Sequence, residues 1–178
     1  QEHPPDGTVL YGITIPPHGG DTLYADQHAA LDAMAPDLRA RVEGLRAVHS
    51  ARGGYAPSGM YGTNDQQTDR SMDIRPSDTA LATQLHPFVR PHPETGRLGL
   101  FGCIGYIIGF DGMPDEPSRD LLFELLAWQT RDEFVYRHEW EPGMLVMWDN
   151  RSVLHRATGG YGGFDRELHR TTIGHRPT

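Results

Sequence analysis

The side chains best suited to chemistry lie in the last third of the chain. There Trp148-Asp149-Asn150-Arg151-Ser152-Val153-Leu154-His155-Arg156-Ala157 leads through a glycine-rich turn to Arg166 and Arg170, 11 and 15 residues beyond His155. An imidazole such as His155 is either a transition-metal ligand or a core group bonded to backbone. A guanidinium grips a carboxylate through parallel hydrogen bonds and keeps its charge when buried, although an arginine taken alone is more often a solvated surface group. Arg170 follows Arg166 by four residues, so on an alternating strand both leave the same face and reach the same cavity. Asp149 and Asn150 are expected to fix the turn before His155 through side-chain-to-backbone bonds. Trp148 reads first as core packing and second as a neighbour of the His155 strand.

Composition removes other chemistries. All 16 basic residues are arginine, which excludes a Schiff-base lysine, a Walker-type phosphate lysine and a lysine general base. The single cysteine, Cys103, rules out an internal disulfide and any multi-cysteine metal site; it reads as a small buried hydrophobe on a strand, and a cytoplasmic location is expected. A net charge of -8 argues against nucleic acid as a partner. The longest apolar run, residues 104–110 with two glycines, is far below the roughly 20 residues of a membrane span. At 178 residues, 37% of them hydrophobic, the chain reads as one globular domain over 1–178, truncated at its N-terminus because Gln1 is preceded by no initiator or signal segment.

The elements that must hold these groups are mostly strands. Residues 8–15 alternate and end at Pro16-Pro17, predicting a strand. Helix is predicted from Asp26 to Met34 and again to Leu45, with Leu31, Met34, Leu38, Val42 and Leu45 at three- and four-residue spacing. Residues 51–80 are rich in Gly, Ser, Asp, Gln and Thr and lack periodicity, so a flexible lid loop is expected. Strands are predicted near 88–90 and across 98–110, a helix from Ser118 to Gln129, and strands at 134–140, 144–148 and 170–174. Such a series suggests a mainly β sandwich or barrel with inserted helices.

Three motifs in order carry a resemblance over nearly the whole chain: Gly19-Gly20-Asp21-Thr22, then His86-Pro87-Phe88-Val89-Arg90-Pro91-His92-Pro93-Glu94-Thr95-Gly96-Arg97, then the run from Met147 to Ile173. Together they closely resemble the taurine and chlorophenoxyacetate dioxygenase family of iron(II)- and 2-oxoglutarate-dependent enzymes. The resemblance implies a double-stranded β-helix, or jelly roll, lacking its N-terminal strands in this chain. It implies Fe(II), 2-oxoglutarate and O2 as cofactor and co-substrates, His155 as one iron ligand, Thr22 and Arg166 as binders of 2-oxoglutarate, and Arg170 as a binder of substrate or co-substrate. The implied chemistry is hydroxylation of a small organic anion, such as a sulfonate, sulfate ester or aryloxy or alkyl carboxylate, with release of succinate and carbon dioxide. Hydroxylation beside a heteroatom can also cleave the molecule. A homo-oligomer, dimer or tetramer, is expected.

One departure stands against the family pattern. The family supplies its other two ligands as His-x-Asp just upstream of a Pro-Pro-x-Gly segment, which here is Pro4-Pro5-Asp6-Gly7, so the pair is expected before Gln1. His3 has Pro5 two positions on. The internal His92-Pro93-Glu94 lies in a turn, where strand-borne ligands are not found. Two rival readings follow: a catalytically incomplete jelly roll that binds an anion between Arg166 and Arg170, and a structural fragment. His28, His138 and His175 read as surface residues, while His18 and His49 are expected to border the cavity.

Overall fold

The computed structural model describes residues 2–62 and 75–174. In chain order they form β1 (Gly7–Thr14), β2 (Thr22–Asp26), α1 (Gln27–Asp32), α2 (Pro36–Val42), β3 (Arg46–Ser50), α3 (Arg52–Tyr55), β4 (Thr83–Pro87), β5 (Val89–Pro91), β6 (Leu98–Leu100), β7 (Ile107–Phe110), α4 (Asp115–Gln129), β8 (Val135–His138), β9 (Leu145–Asp149), β10 (Val153–Ala157) and β11 (Glu167–Ile173). Single 3-10 turns occupy Asp78–Leu81 and Asp132–Phe134. None of these helices is long and apolar enough to cross a membrane.

All the strand pairs are antiparallel. The sheets run β11-β1-β9, β10-β2-β8 and β4-β3-β7, with β5 and β6 as a separate ribbon. Directly opposed residues in such a ladder share a face. In the first sheet Thr8 lies opposite Thr172 and Trp148, and Leu10 opposite Arg170 and Val146. Thr8 and Trp148 are buried on this face, while Tyr11, Leu145 and Met147 on the other stay exposed. The apolar core gathers under α1, α2 and α4, where Leu31, Val42, Phe88, Leu100, Ile107 and Leu125 are buried together. Each such side chain contributes about 1.5–3 kcal/mol through removal from water.

A polar clamp crosses this core. Gln129, the last residue of α4, donates to Gln27 Oε1 at 2.7 Å and to Gly102 O at 3.0 Å, and Gln27 Nε2 donates to Ala25 O at 3.1 Å. Both glutamines are 1% exposed. The junction of β2 and α1 is thereby tied to α4 and to the segment after β6. Asp26 caps α1 through its side chain, accepting from the backbone N–H of His28 and Ala29.

Several elements differ from the sequence reading. The helix expected from Asp26 is preceded by β2, and the helix expected to reach Leu45 stops at Val42 before Gly44 at φ +75° and gives way to β3. Both short strands are held by distant partners, which local pattern does not reveal. The strand expected across 98–110 is broken between β6 and β7, where Gly102 turns at φ +88°. Cys103 therefore sits in a connection and is only half-buried. The helix α4 starts at Asp115, because Pro117 in its first turn has no N–H that the helix would need. Of the expected lid at 51–80, the described flanks form α3 and the 3-10 turn at Asp78–Leu81, and residues 63–74 lie outside the described residues.

Gln129→Leu removes the donor to Gln27 Oε1 and Gly102 O and substitutes an apolar side chain of similar size. The expected cost is about 1–3 kcal/mol in denaturant unfolding, the range for a buried polar group left unpaired. An unchanged unfolding midpoint would show that the clamp carries no weight.

Candidate active site

The second sheet presents one chemically loaded face. Tyr24 on β2 lies opposite His155 on β10 and Tyr136 on β8, and Thr22 lies opposite Ala157 and His138. Thr22, Tyr24, His138 and His155 thus project to the same side. Thr22 and Tyr24 are two residues apart, which places their side chains about 6.7 Å apart along the strand. Ring contacts continue the series: His155 lies 4.7 Å from Trp148, Trp148 5.2 Å from Tyr24, Tyr24 6.5 Å from His138, and His138 4.6 Å from Trp140.

Thr22 is 3% exposed, and its Oγ1 accepts a hydrogen bond from the Trp140 indole N–H at 3.0 Å. An acceptor site on that oxygen is therefore filled, and the hydroxyl also lies against the Tyr24 phenol, which it stabilises in its ionised form. Beside it, Arg166 Nε and Nη2 donate to Gly20 O at 3.1 and 2.9 Å. A guanidinium carries five N–H donors, so the outer edge of Arg166 keeps N–H groups for a ligand. Gly20 permits this approach: at φ +72° its added Cβ would meet Arg166 Nε at 2.7 Å. Asp21 anchors the start of β2 by accepting from Arg137 Nε at 2.6 Å.

Two buried nitrogens around this face, His138 Nε2 and Trp148 Nε1, have no hydrogen-bond partner among the described residues, and the buried Tyr24 Oη has only the Thr22 hydroxyl beside it. Burial pushes the Tyr24 phenol up to about 12, with Thr22 and Arg166 pulling it down and Tyr136 adding to the rise. It is a neutral O–H donor at ordinary pH. His155 is lowered by desolvation and then by the positive charge of Arg170, although much of its surface is open to solvent. In its neutral form the imidazole is competent to bind a metal. Arg170 is close enough to act electrostatically on both His155 and Tyr106. The structure thus brings His155, Thr22, Arg166 and Arg170 to one region from β10, β2 and the two ends of the segment 166–170.

A second polar network braces the site from behind. His92 Nδ1 accepts from the backbone N–H of Glu94 at 3.2 Å, which makes Nε2 the protonated nitrogen, and Nε2 donates to Asp149 Oδ2 at 2.9 Å. Arg151 donates to both carboxylate oxygens of Asp149 through Nε, and again through Nη2 at 2.7 Å. Asn150 Nδ2 donates to Thr8 Oγ1 and to Pro5 O. Asp149 and Asn150 therefore hold the β9 end through backbone and side-chain bonds, as their sequence context suggests. Both nitrogens of His92 are occupied, and Glu94 is directed to Arg151, so the internal His-x-Glu is no metal pair.

Among the described residues no group of three His, Cys, Asp or Glu side chains could hold a metal ion. The outer N–H groups of Arg166 beside Thr22 fit a carboxylate, and the same face offers iron a single imidazole. Two histidines expected at the surface lie elsewhere. His28 is half-buried with Nδ1 at 2.7 Å from Leu98 O, and the inner edge of His138 is buried. His49 on β3 is pushed down to about 4 by burial, His86 and Arg90, whereas His18 is exposed against the edge of Phe164. Tyr24 and His138 were not singled out by sequence pattern. Their signal is the β-rich Thr-Leu-Tyr after Gly-Gly-Asp and the alternation along β8, which becomes legible only once β2 is known to be a strand.

Comparisons with known proteins agree with this geometry. A sequence profile of the family described as taurine catabolism dioxygenase TauD, TfdA matches residues 1–172. The chain is 43% identical over 166 residues to the alpha-ketoglutarate-dependent 2,4-dichlorophenoxyacetate dioxygenase of Cupriavidus pinatubonensis, covering 93% of this chain and 54% of that protein. A solved taurine dioxygenase from Burkholderia xenovorans matches with a TM-score of 0.78 and 34% identity over 97% of this chain and 53% of its own. The structure of AAD-2 in complex with Mn(II) and N-oxalylglycine matches with a TM-score of 0.78 and 29% identity, covering 98% of this chain and 65% of its own. The mainly β, jelly-roll fold expected from the motifs is the fold of these proteins. The chain spans about half the length of the curated relatives it matches.

Burial alone would raise the Asp149 carboxyl, but hydrogen bonds from Arg151 and His92 overcome it and hold the group well below the usual carboxylate range. A depressed folded value means stability that is present above the unfolded pKa of about 3.9 and lost as the pH falls below it. Asp149→Asn should therefore flatten the fall of unfolding free energy between about pH 5 and pH 2. Identical pH slopes for the two proteins would remove Asp149 from this role.

Proposed function

The chain belongs to the taurine catabolism dioxygenase TauD, TfdA family, and from that premise we propose that it forms the co-substrate-binding part of an iron(II)- and 2-oxoglutarate-dependent dioxygenase that hydroxylates a small organic anion. The observation that carries this reading is the shared face of the second sheet, where Thr22, two residues along from the position opposite His155, lies beside Gly20, whose carbonyl holds Arg166 with its outer N–H groups free.

In this reading Thr22 donates its hydroxyl hydrogen, and Arg166 its outer N–H groups, to the distal carboxylate of 2-oxoglutarate. The charge-assisted bonds set its orientation. His155 supplies a neutral imidazole to iron, and the other two ligands, a His-x-Asp pair, lie upstream of Gln1. When bound, iron(II) supplies the oxygen chemistry that converts 2-oxoglutarate to succinate and carbon dioxide and hydroxylates the substrate. Arg170 faces the anionic group of the substrate or the proximal end of the co-substrate. Trp148 packs against the His155 ring and holds its orientation. The substrate is a sulfonate, sulfate ester or aryloxy or alkyl carboxylate, supported by the names of the relatives and by the positive charge of Arg170 beside His155.

His155→Ala in the complete protein should abolish iron retention after anaerobic loading, read by metal analysis; full iron content would overturn the ligand assignment. Arg166→Ala should weaken 2-oxoglutarate binding by about 2–5 kcal/mol, as expected when one partner of a buried charge pair is removed. An unaltered titration with 2-oxoglutarate would exclude Arg166 from co-substrate binding.

A further inference from the structure

The Arg166 guanidinium is held on two sides. Its inner edge donates through Nε and Nη2 to Gly20 O at 3.1 and 2.9 Å. Over its face lies the Tyr161 ring, with the ring centroid 5.6 Å from Cζ. That is within the distance at which the electron-rich face of an aromatic ring attracts a cation. A guanidinium is planar, so hydrogen bonds made in its plane leave its face free to stack. Two bonds to one carbonyl oxygen fix the inner edge, yet the plane can still hinge about that oxygen. A ring against the face removes this freedom, and edge and face together decide where the outer N–H groups point.

The connection between β10 and β11 places Tyr161 there. Gly159, Gly160, Gly162 and Gly163 flank it, and Gly160 takes φ +91°. The connection is pinned to the segment before β2, since Gly20 N–H donates to Gly159 O at 3.1 Å and Thr158 N–H to Asp21 O at 2.8 Å. The two segments run so close that a Cβ on Gly19 would meet Gly160 O at 2.5 Å. A Cβ on Gly20 would meet Arg166 Nε at 2.7 Å and Tyr161 Cδ1 at 3.2 Å. Gly20 is therefore a floor shared by both side chains, and only a residue without a side chain lets them pack together above it. Farther out, Phe164 N–H donates to Tyr161 O at 3.1 Å, and the Phe164 ring meets the His18 ring edge-on at 5.0 Å. Both contacts hold the loop that carries Tyr161 in place.

We propose that Tyr161 is a positioning residue for co-substrate binding, its ring holding the Arg166 guanidinium in the orientation in which the outer N–H groups meet the distal carboxylate of 2-oxoglutarate. The proposal rests on the 2-oxoglutarate reading above. An arginine already fixed when the ligand arrives loses little further rotamer freedom on binding. The contribution comes from the ring face and not from the phenol O–H, so another aromatic side chain at 161 serves and a non-aromatic one of similar bulk does not. Its effect passes through Arg166 alone, and a 2-oxo acid without a distal carboxylate is indifferent to it.

The test is calorimetric titration of the complete, iron-loaded protein under anaerobic conditions, with 2-oxoglutarate and with 2-oxobutyrate. The proteins compared are wild type, Tyr161→Phe, Tyr161→Leu, Arg166→Ala and the double variant Tyr161→Leu with Arg166→Ala. Tyr161→Leu should weaken 2-oxoglutarate roughly three- to thirtyfold, while Tyr161→Phe stays within about twofold of wild type, as a cation held by a ring face requires. Binding of 2-oxobutyrate should be the same in both Tyr161 variants as in wild type. In the Arg166→Ala background Tyr161→Leu should cause no further loss, because the double-mutant cycle isolates the coupling between the two side chains. Unchanged 2-oxoglutarate affinity in Tyr161→Leu, with Arg166→Ala weakened, overturns this proposal and leaves the underlying reading standing. Equal weakening in Tyr161→Phe and Tyr161→Leu assigns the effect to the phenol hydroxyl and also overturns it. Additive losses in the double variant do the same, since they mark a general disturbance of the loop. Unchanged affinity in Arg166→Ala defeats the underlying reading itself. Where Tyr161→Leu is too unstable to titrate, Tyr161→Met supplies the non-aromatic side chain and the same outcomes decide.

Discussion

The register of β2 between β8 and β10 decides the spacing of the whole site. A shift of one residue would send Thr22 and Tyr24 to the opposite face and leave His155 facing Leu23 or Ala25. The chain resists such a slip at both ends of the strand. At its start Asp21 is paired with Arg137, Gly20 N–H donates to Gly159 O, and Thr158 N–H donates to Asp21 O. At its end Gln27 N–H donates to Ser152 O, and the Gln27 side chain is locked into α4 by Gln129. Five residues of strand are thus pinned by bonds to segments more than a hundred residues away.

Polar groups divide sharply across this frame. Behind the site, His92, Asp149, Arg151, Asn150 and Thr8 satisfy one another, and Asp149 is ionised because Arg151 and His92 outweigh its burial. On the β2 face His138 and Trp148 each keep a buried nitrogen unpaired among the described residues. A satisfied network rigidifies, whereas an unpaired buried polar group carries a standing cost. Trp148 stands at the boundary: its neighbour Asp149 belongs to the braced side, and its own ring touches both Tyr24 and His155. Bracing β9 therefore positions the aromatic wall against which the imidazole of His155 rests.

Much of this was written into local sequence. The Trp-Asp-Asn-Arg run, His155, and Arg166 and Arg170 are all short-range features, and they point to the family and to its jelly roll, although Arg166 precedes β11 rather than sharing a strand face with Arg170 as the alternation predicts. The alternation of β1 and the apolar spacing of α1 and α2 were legible for the same reason, since period and turn chemistry are properties of neighbouring residues. What local sequence did not determine was β2 and β3, five-residue strands whose hydrogen bonds all go to distant partners, or the break at Gly102 that removes Cys103 from a strand. It likewise left Tyr24 and His138 as ordinary side chains, with His138 taken for a surface residue on an alternating strand. Only the tertiary ladder, which sets Tyr24 opposite His155 and Thr22 opposite His138, turned them into groups of one site. The physical reason is that a side chain's face is fixed by its strand's partners, and those partners lie far away along the chain.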